Sequence, residues 1–152
     1  MACTAPINVV VNVENTCDKK CKYSFSYPRT SLVVTNRGKY IEFKCEKTQE
    51  PPAIFNNVKY NVNEFRIYAP SLHTYGGQRA KGEFIIYHTD VNSDKQLLVS
   101  IPIQVGAAVG VKENIIGNIV KKVANHAPAN MDTTPIKLDT FTLNNIVPKK
   151  EE

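Results

Sequence analysis

At 152 residues and 17.0 kDa the chain is long enough for one domain with a real core and too short for two ordinary ones. Hydrophobic residues at 42% and charged residues at 22% exclude disorder over most of the length, and every apolar run falls far short of the roughly 20 residues that a membrane-spanning helix needs. The net charge of +5 permits an acidic partner, but the basic residues are interspersed with acidic ones and no recognition motif accompanies them, so nucleic acid is not an expected partner.

The start, Met-Ala-Cys-Thr-Ala-Pro, has no basic or apolar leader region, and the chain has no Asn-x-Ser/Thr sequon, so ordinary secretion is disfavoured. Residues 7–13 are valine-rich and read as a strand. Residues 31–35 and 39–45 are two β-branched or aromatic runs around Asn36-Arg37-Gly38, a hairpin signal. After a polar break, residues 58–62 and 64–68 read as two further strands, followed by a turn-rich stretch with Pro70 and Gly76-Gly77. In residues 82–89, Phe84, Ile86 and His88 share one face and Glu83, Ile85 and Tyr87 the other. Both faces carry bulk, so both should be covered.

Residues 96–105 form a strand in which Pro102 cannot donate to a ladder, which suits an edge. The one amphipathic helix falls over residues 113–125, with Ile115, Ile116, Ile119, Val120 and Val123 on one stripe. The rest is proline-rich and polar with short apolar pieces at 136–138 and 141–147. The expected architecture is mainly β with one or two helices (α+β), a single domain over residues 1–148 and a charged tail over 149–152. His88 and His126 read as ordinary core-edge and loop residues.

Four cysteines, Cys3, Cys17, Cys21 and Cys45, permit three pairings if all are oxidised. Cys17 and Cys21 suit a loop disulfide or reduced thiols; two ligands of a structural zinc rank third, since a closed site wants four ligands and no histidine is near in sequence.

Taken in order, these pieces resemble the α-carbonic anhydrases. Pro6-Ile7-Asn8-Val9 is similar to the family's Ser-Pro-Ile-Asn-Ile, and Asn36-Arg37-Gly38-Lys39 to its Asn-Asn-Gly-His. Residues 60–68 resemble Tyr-x-Leu-x-Gln-Phe-His-Phe-His, Ser71-Leu72-His73-Thr74 resembles Ser-Glu-His-Thr, and residues 83–88 resemble Glu-Leu-His-x-Val-His. Residues 97–106, 115–123 and 141–148 follow in collinear order, so the resemblance covers nearly the whole chain and implies a truncated carbonic-anhydrase-like twisted mixed sheet.

The resemblance places Arg66, Tyr68 and Ile85 where the family holds zinc with three histidines. A guanidinium has no lone pair to offer, isoleucine has no donor atom and one phenol cannot hold zinc alone, so no metal and no cofactor are expected. Without the metal no water is made nucleophilic near neutral pH, and the chain is not expected to be an enzyme. Lys39 corresponds to the family's proton-shuttle histidine and Leu72 to the glutamate that orients the bound hydroxide; the partner threonine belongs to a segment beyond Pro148. His73 and Glu83 match a buried outer-shell pair and read as structural.

The family's later strands would continue the sheet beyond residues 96–105, which makes Leu97, Leu98, Val99, Ile101, Ile103 and Val105 an expected interaction edge. Inactive relatives in large DNA viruses resemble virion components. The leading expectation is therefore a minor capsid or virion structural protein, made in the host cytoplasm and packing against other protein subunits. The alternative is attachment to an acidic glycan such as glycosaminoglycan through Lys19, Lys20, Lys22, Arg37 and Lys39, and a residual metalloenzyme comes third.

Overall fold

The computed structural model describes residues 6–10, 22–29, 31–104, 133–136 and 142–147. The helix expected over 113–125 lies outside these residues, as do Cys3, Cys17, Cys21, Lys19, Lys20, Val105 and His126.

The described residues are mostly strands: β1 Asn8–Val9, β2 Tyr23–Phe25, β3 Leu32–Asn36, β4 Tyr40–Cys45, β5 Ala53–Phe55, β6 Val58–Tyr68, β7 Thr74–Tyr75, β8 Gln78–Arg79, β9 Gly82–Asp90, β10 Gln96–Ile103 and β11 Thr133–Ile136. A short 3-10 turn, Leu143–Asn145, follows. The main sheet has eight strands in the order β10-β9-β6-β4-β3-β11, with β5 paired to β6 and β2 to β5. All its pairings are antiparallel. A second sheet runs β1-β7-β8, in which β1 lies parallel to β7. The main sheet is therefore antiparallel among the described residues, where a mixed sheet was expected.

The β3–β4 hairpin forms where the sequence places it. Gly38 takes φ 80°, a conformation that costs glycine nothing, and its N–H donates to Asn36 Oδ1 at 2.9 Å. The runs at 58–62 and 64–68 prove to be one strand. A register shift between Val62 and Glu64 makes Asn63 a bulge, and its side-chain amide donates to Thr89 Oγ1 at 2.6 Å. The polar residue that reads as a break is thus accommodated without ending the strand.

Strand periodicity separates the two faces. On one face Val34, Phe43, Phe65, Ile86 and Val99 line up across five strands. Phe65 is stacked on Phe43 at 4.5 Å and on Phe84 at 4.7 Å between ring centroids, and all three rings are fully buried. Leu143, Ile146 and Val147 close over the same core. They are fixed by Tyr27, whose N–H donates to Asn144 Oδ1 at 2.7 Å and whose carbonyl accepts from Thr142 Oγ1 at 2.7 Å.

His88 lies inside this core rather than at its edge, at 1% exposure. Its Nδ1–H donates to the Leu97 carbonyl at 3.0 Å, which leaves Nε2 to accept from the Tyr27 hydroxyl at 2.6 Å. The Tyr23 hydroxyl stands 2.6 Å from that of Tyr27 and completes the chain. Burial holds His88 below its ordinary pKa, against the opposing pull of its bonded carbonyls, so the ring stays neutral in the core.

Candidate functional site

The opposite face of the sheet carries the polar residues. Register alone builds three rows across it: Tyr40, Tyr68, Glu83 and Pro102; Thr35, Glu42, Arg66, Ile85 and Ser100; and Lys44, Glu64, Tyr87 and Leu98. Arg66, Tyr68 and Ile85, the positions that the resemblance singles out, lie together on this face. Arg66 and Ile85 are direct cross-strand partners, with Tyr68 two residues along β6.

Arg66 is the centre of this face. Its guanidinium carbon lies over two aromatic rings, 4.6 Å from the Tyr40 centroid and 4.2 Å from that of Tyr87, so the cation meets two π-systems. Nε–H donates to Glu64 Oε1 at 2.6 Å, and Nη2 pairs with the same oxygen. Burial opposes the charge, but the bonds to Tyr68 and Glu64 outweigh it and raise the pKa of Arg66 above its already high ordinary value. Arg37 and Glu42 form a second ion pair beside it, with Nη2 at 2.8 Å from Glu42 Oε2. Burial alone would push Glu42 upward; the bonds and charge of Arg37, with the Lys44 charge, hold it below the ordinary range.

These residues do not fit a zinc ion. A guanidinium has no lone pair to offer and is already paired with Glu64, Ile85 has no donor atom, one phenol at Tyr68 cannot hold zinc alone, and burial raises the pKa of the neighbouring Tyr87 phenol, which disfavours a phenolate ligand there. Among the described residues, no group of three His, Cys, Asp or Glu is placed to hold a metal ion.

His73 and Glu83 form the second cluster. Glu83 is fully buried, and its carboxylate accepts five hydrogen bonds. Oε2 takes the backbone N–H groups of Leu72 at 2.7 Å and His73 at 3.0 Å; Oε1 takes His73 Nδ1–H at 2.9 Å and the hydroxyls of Tyr75 and Ser100. Burial by itself would raise its pKa, but these donors win and hold it below 4.5. Tyr75 responds in the opposite sense: burial and the adjacent carboxylate push its phenol up to about 12. The resemblance names the pair but not Ser100, which reaches Glu83 through the pairing of β10 with β9, nor Tyr75, which comes from β7 of the second sheet. No nucleophile stands free in this cluster, because both hydroxyls are spent on the carboxylate.

The remaining predicted positions separate. Leu97, Val99, Ile101 and Ile103 turn towards the core, and among the described residues of the expected edge only Leu98, at 41%, is substantially exposed. What β10 offers outward is its backbone edge, the last of the sheet among the described residues. Lys22 bonds to Asn56 at the β5–β6 turn, whereas Lys39 adjoins Tyr40 at the far end of β6. The 11 residues of β6 put them about 30 Å apart, and Arg37 is engaged by Glu42. The structure does not gather these three into one patch. Cys45 is a half-buried free thiol that burial, with the nearby Glu64 charge, pushes up to about 12, so it is neither a ready nucleophile nor a ready ligand.

No family model and no curated protein matches this sequence. Solved structures do. The carbonic anhydrase Cah3 from Chlamydomonas reinhardtii, solved with acetazolamide, superposes with a TM-score of 0.74 at 18% identity over 97% of this chain and 60% of that one. The α-carbonic anhydrases of Photobacterium profundum and Thermovibrio ammonificans each give 0.72, at 14% and 17% identity, over 96% and 97% of this chain and 61% and 60% of theirs. Dioscorin, solved with ascorbate, gives 0.63 at 18% identity. The chain spans about 60% of the length of these carbonic anhydrases. At such identities the likeness establishes architecture, and that architecture is the α-carbonic anhydrase fold.

Proposed function

We propose that this chain is a non-catalytic member of the carbonic-anhydrase fold that serves as an interaction or structural subunit. The observation that carries the reading is the Arg66 guanidinium, paired with Glu64 and lying over the Tyr40 and Tyr87 rings at the position where the resemblance calls for a metal ligand. A face built this way supplies no open coordination position and no activated water, which the fold's hydration chemistry requires.

The assembly part of the reading rests on the backbone edge of β10, which Pro102 and exposed Leu98 leave only partly blunted. The proposed partners are other protein subunits, and the proposed setting is a virus particle in which this chain is a minor capsid component. Attachment to an acidic glycan has less support, since Lys22 and Lys39 stand at opposite ends of β6. The native complex is expected to migrate well above 17.0 kDa on size exclusion and to survive a rise in salt. Apolar and backbone contacts are little screened, whereas an acidic polysaccharide would be released. A lone monomer in extracts of the native source would contradict the assembly reading.

A further inference from the structure

On the face around Arg66 the sense of a metal cage is reversed: a cage presents lone pairs to a cation, and this face presents N–H and O–H groups. Arg66 Nη1 lies 3.4 Å from the Tyr68 hydroxyl, and that hydroxyl lies 3.4 Å from the hydroxyl of Tyr87. Both separations exceed the 2.7–3.2 Å range of well-made bonds, so the three groups are linked to one another only by long, weak bonds. Their bookkeeping leaves a proton over. If Tyr68 donates to Tyr87, the Tyr87 proton has no acceptor among the described residues; if Tyr87 donates, the Tyr68 proton is left. Burial keeps the Tyr87 phenol protonated, so it remains a donor at neutral pH.

The rest of the guanidinium is committed. Nε and Nη2 go to Glu64 and the guanidinium lies over the Tyr40 and Tyr87 rings, which leaves Nη1 with only its long contact to the Tyr68 hydroxyl. The Arg66 side chain retains 25% exposure, so the face around it is not sealed from solvent. We infer that Arg66 Nη1 and the hydroxyls of Tyr68 and Tyr87 form a receptor for a single carboxylate oxygen, and that the ligand is a small monocarboxylate. An acceptor seated among the three would replace two long contacts by three short, charge-assisted ones. Because Glu64 already cancels the guanidinium charge, a ligand with one negative charge fits better than a phosphate or a dicarboxylate, which would meet more repulsion from Glu64. This inference rests on the reading that the face holds no metal.

The full chain contains no tryptophan and seven tyrosines, so its emission is tyrosine emission, to which Tyr68 and Tyr87 contribute and from which their phenylalanine variants subtract. Titration with acetate and with benzoate in the presence of a chelator is expected to give a saturable change. Tyr87→Phe, which keeps the ring over the guanidinium and removes only the donor, and Tyr68→Phe should each weaken binding about tenfold. Arg66→Met should abolish it, but since that change strands Glu64 the phenylalanine variants decide the matter. Absence of saturation, or equal affinity in wild type and Tyr87→Phe, would overturn the inference. Carbon dioxide turnover in parallel zinc-supplemented samples would defeat the non-catalytic reading itself, whereas absent carboxylate binding without turnover defeats this inference alone.

Discussion

Phe65→Ala is expected to cost about 4 kcal/mol of folding stability, the upper range for removing a large buried side chain. Phe65 is fully buried on the central strand β6, with Phe43 stacked on one side and Phe84 on the other. Its ring also lies in the cross-strand row from Val34 to Val99, so a void there loosens five strands at once. The neighbours are themselves stacked aromatics of fixed shape and cannot collapse far into the gap. Denaturant unfolding should show the midpoint falling with the slope unchanged. Phe65→Leu, which keeps most of the volume, should lose about 1.5 kcal/mol. Equal losses for the two would mean that ring stacking, not volume, dominates.

Glu83→Gln should cost about 3 kcal/mol at neutral pH, because a nearly isosteric amide is wrong at both ends of this site. Whichever way the amide turns, its NH2 faces donors: the backbone N–H groups of Leu72 and His73, or the His73 ring with the Tyr75 and Ser100 hydroxyls. The pH dependence follows from the direction of the shift. The folded pKa of Glu83 lies below its ordinary 4.5, so its contribution is fully present above that value and is lost as pH falls through the lower folded value. The gap between wild type and Glu83→Gln should therefore be widest near neutrality and narrow in acid below about pH 4. A gap that stays constant from pH 7 to pH 3 would mean that Glu83 is not bound as a carboxylate.

Much of this architecture is legible before any coordinates. Asn36-Arg37-Gly38 marks its hairpin because only certain residues tolerate the turn, and residues 82–89 announce a strand buried on both faces by carrying bulk at every position. The strands that sequence reasoning misses are β2, β5, β7, β8 and β11, each 2 to 4 residues long and too short for a period to show. Two signals were available. Asn56 and Asn57 both take positive φ, at 48° and 67°, so this Asn-Asn pair is a tight-turn signature between β5 and β6. Tyr23-Ser-Phe-Ser-Tyr27 alternates cleanly, as β2 requires.

The site was half legible. The residue types at 66, 68 and 85 are enough to argue against a zinc cage, and the structure places them on one face. What Arg66 does instead depends on Tyr40 and Tyr87, which stand diagonally across β4 and β9, and nothing local in the sequence ties them to it. The same holds for Tyr27 and His88, 61 residues apart, whose pairing exists only after the termini of the described chain close over the core. β10 is the last strand of the main sheet among the described residues, but Leu97, Val99, Ile101 and Ile103 serve the core, so alternation along β10 spends these apolar residues inward.

The central claim is that the Arg66 face excludes a catalytic metal. Its most direct test is to refold the chain in excess zinc, remove the free ion, and measure bound zinc by elemental analysis alongside carbon dioxide hydration. The account predicts less than stoichiometric zinc and a hydration rate equal to the buffer background, unchanged by Arg66→Met. One tightly held zinc per chain with hydration above background, abolished by a chelator, would contradict it.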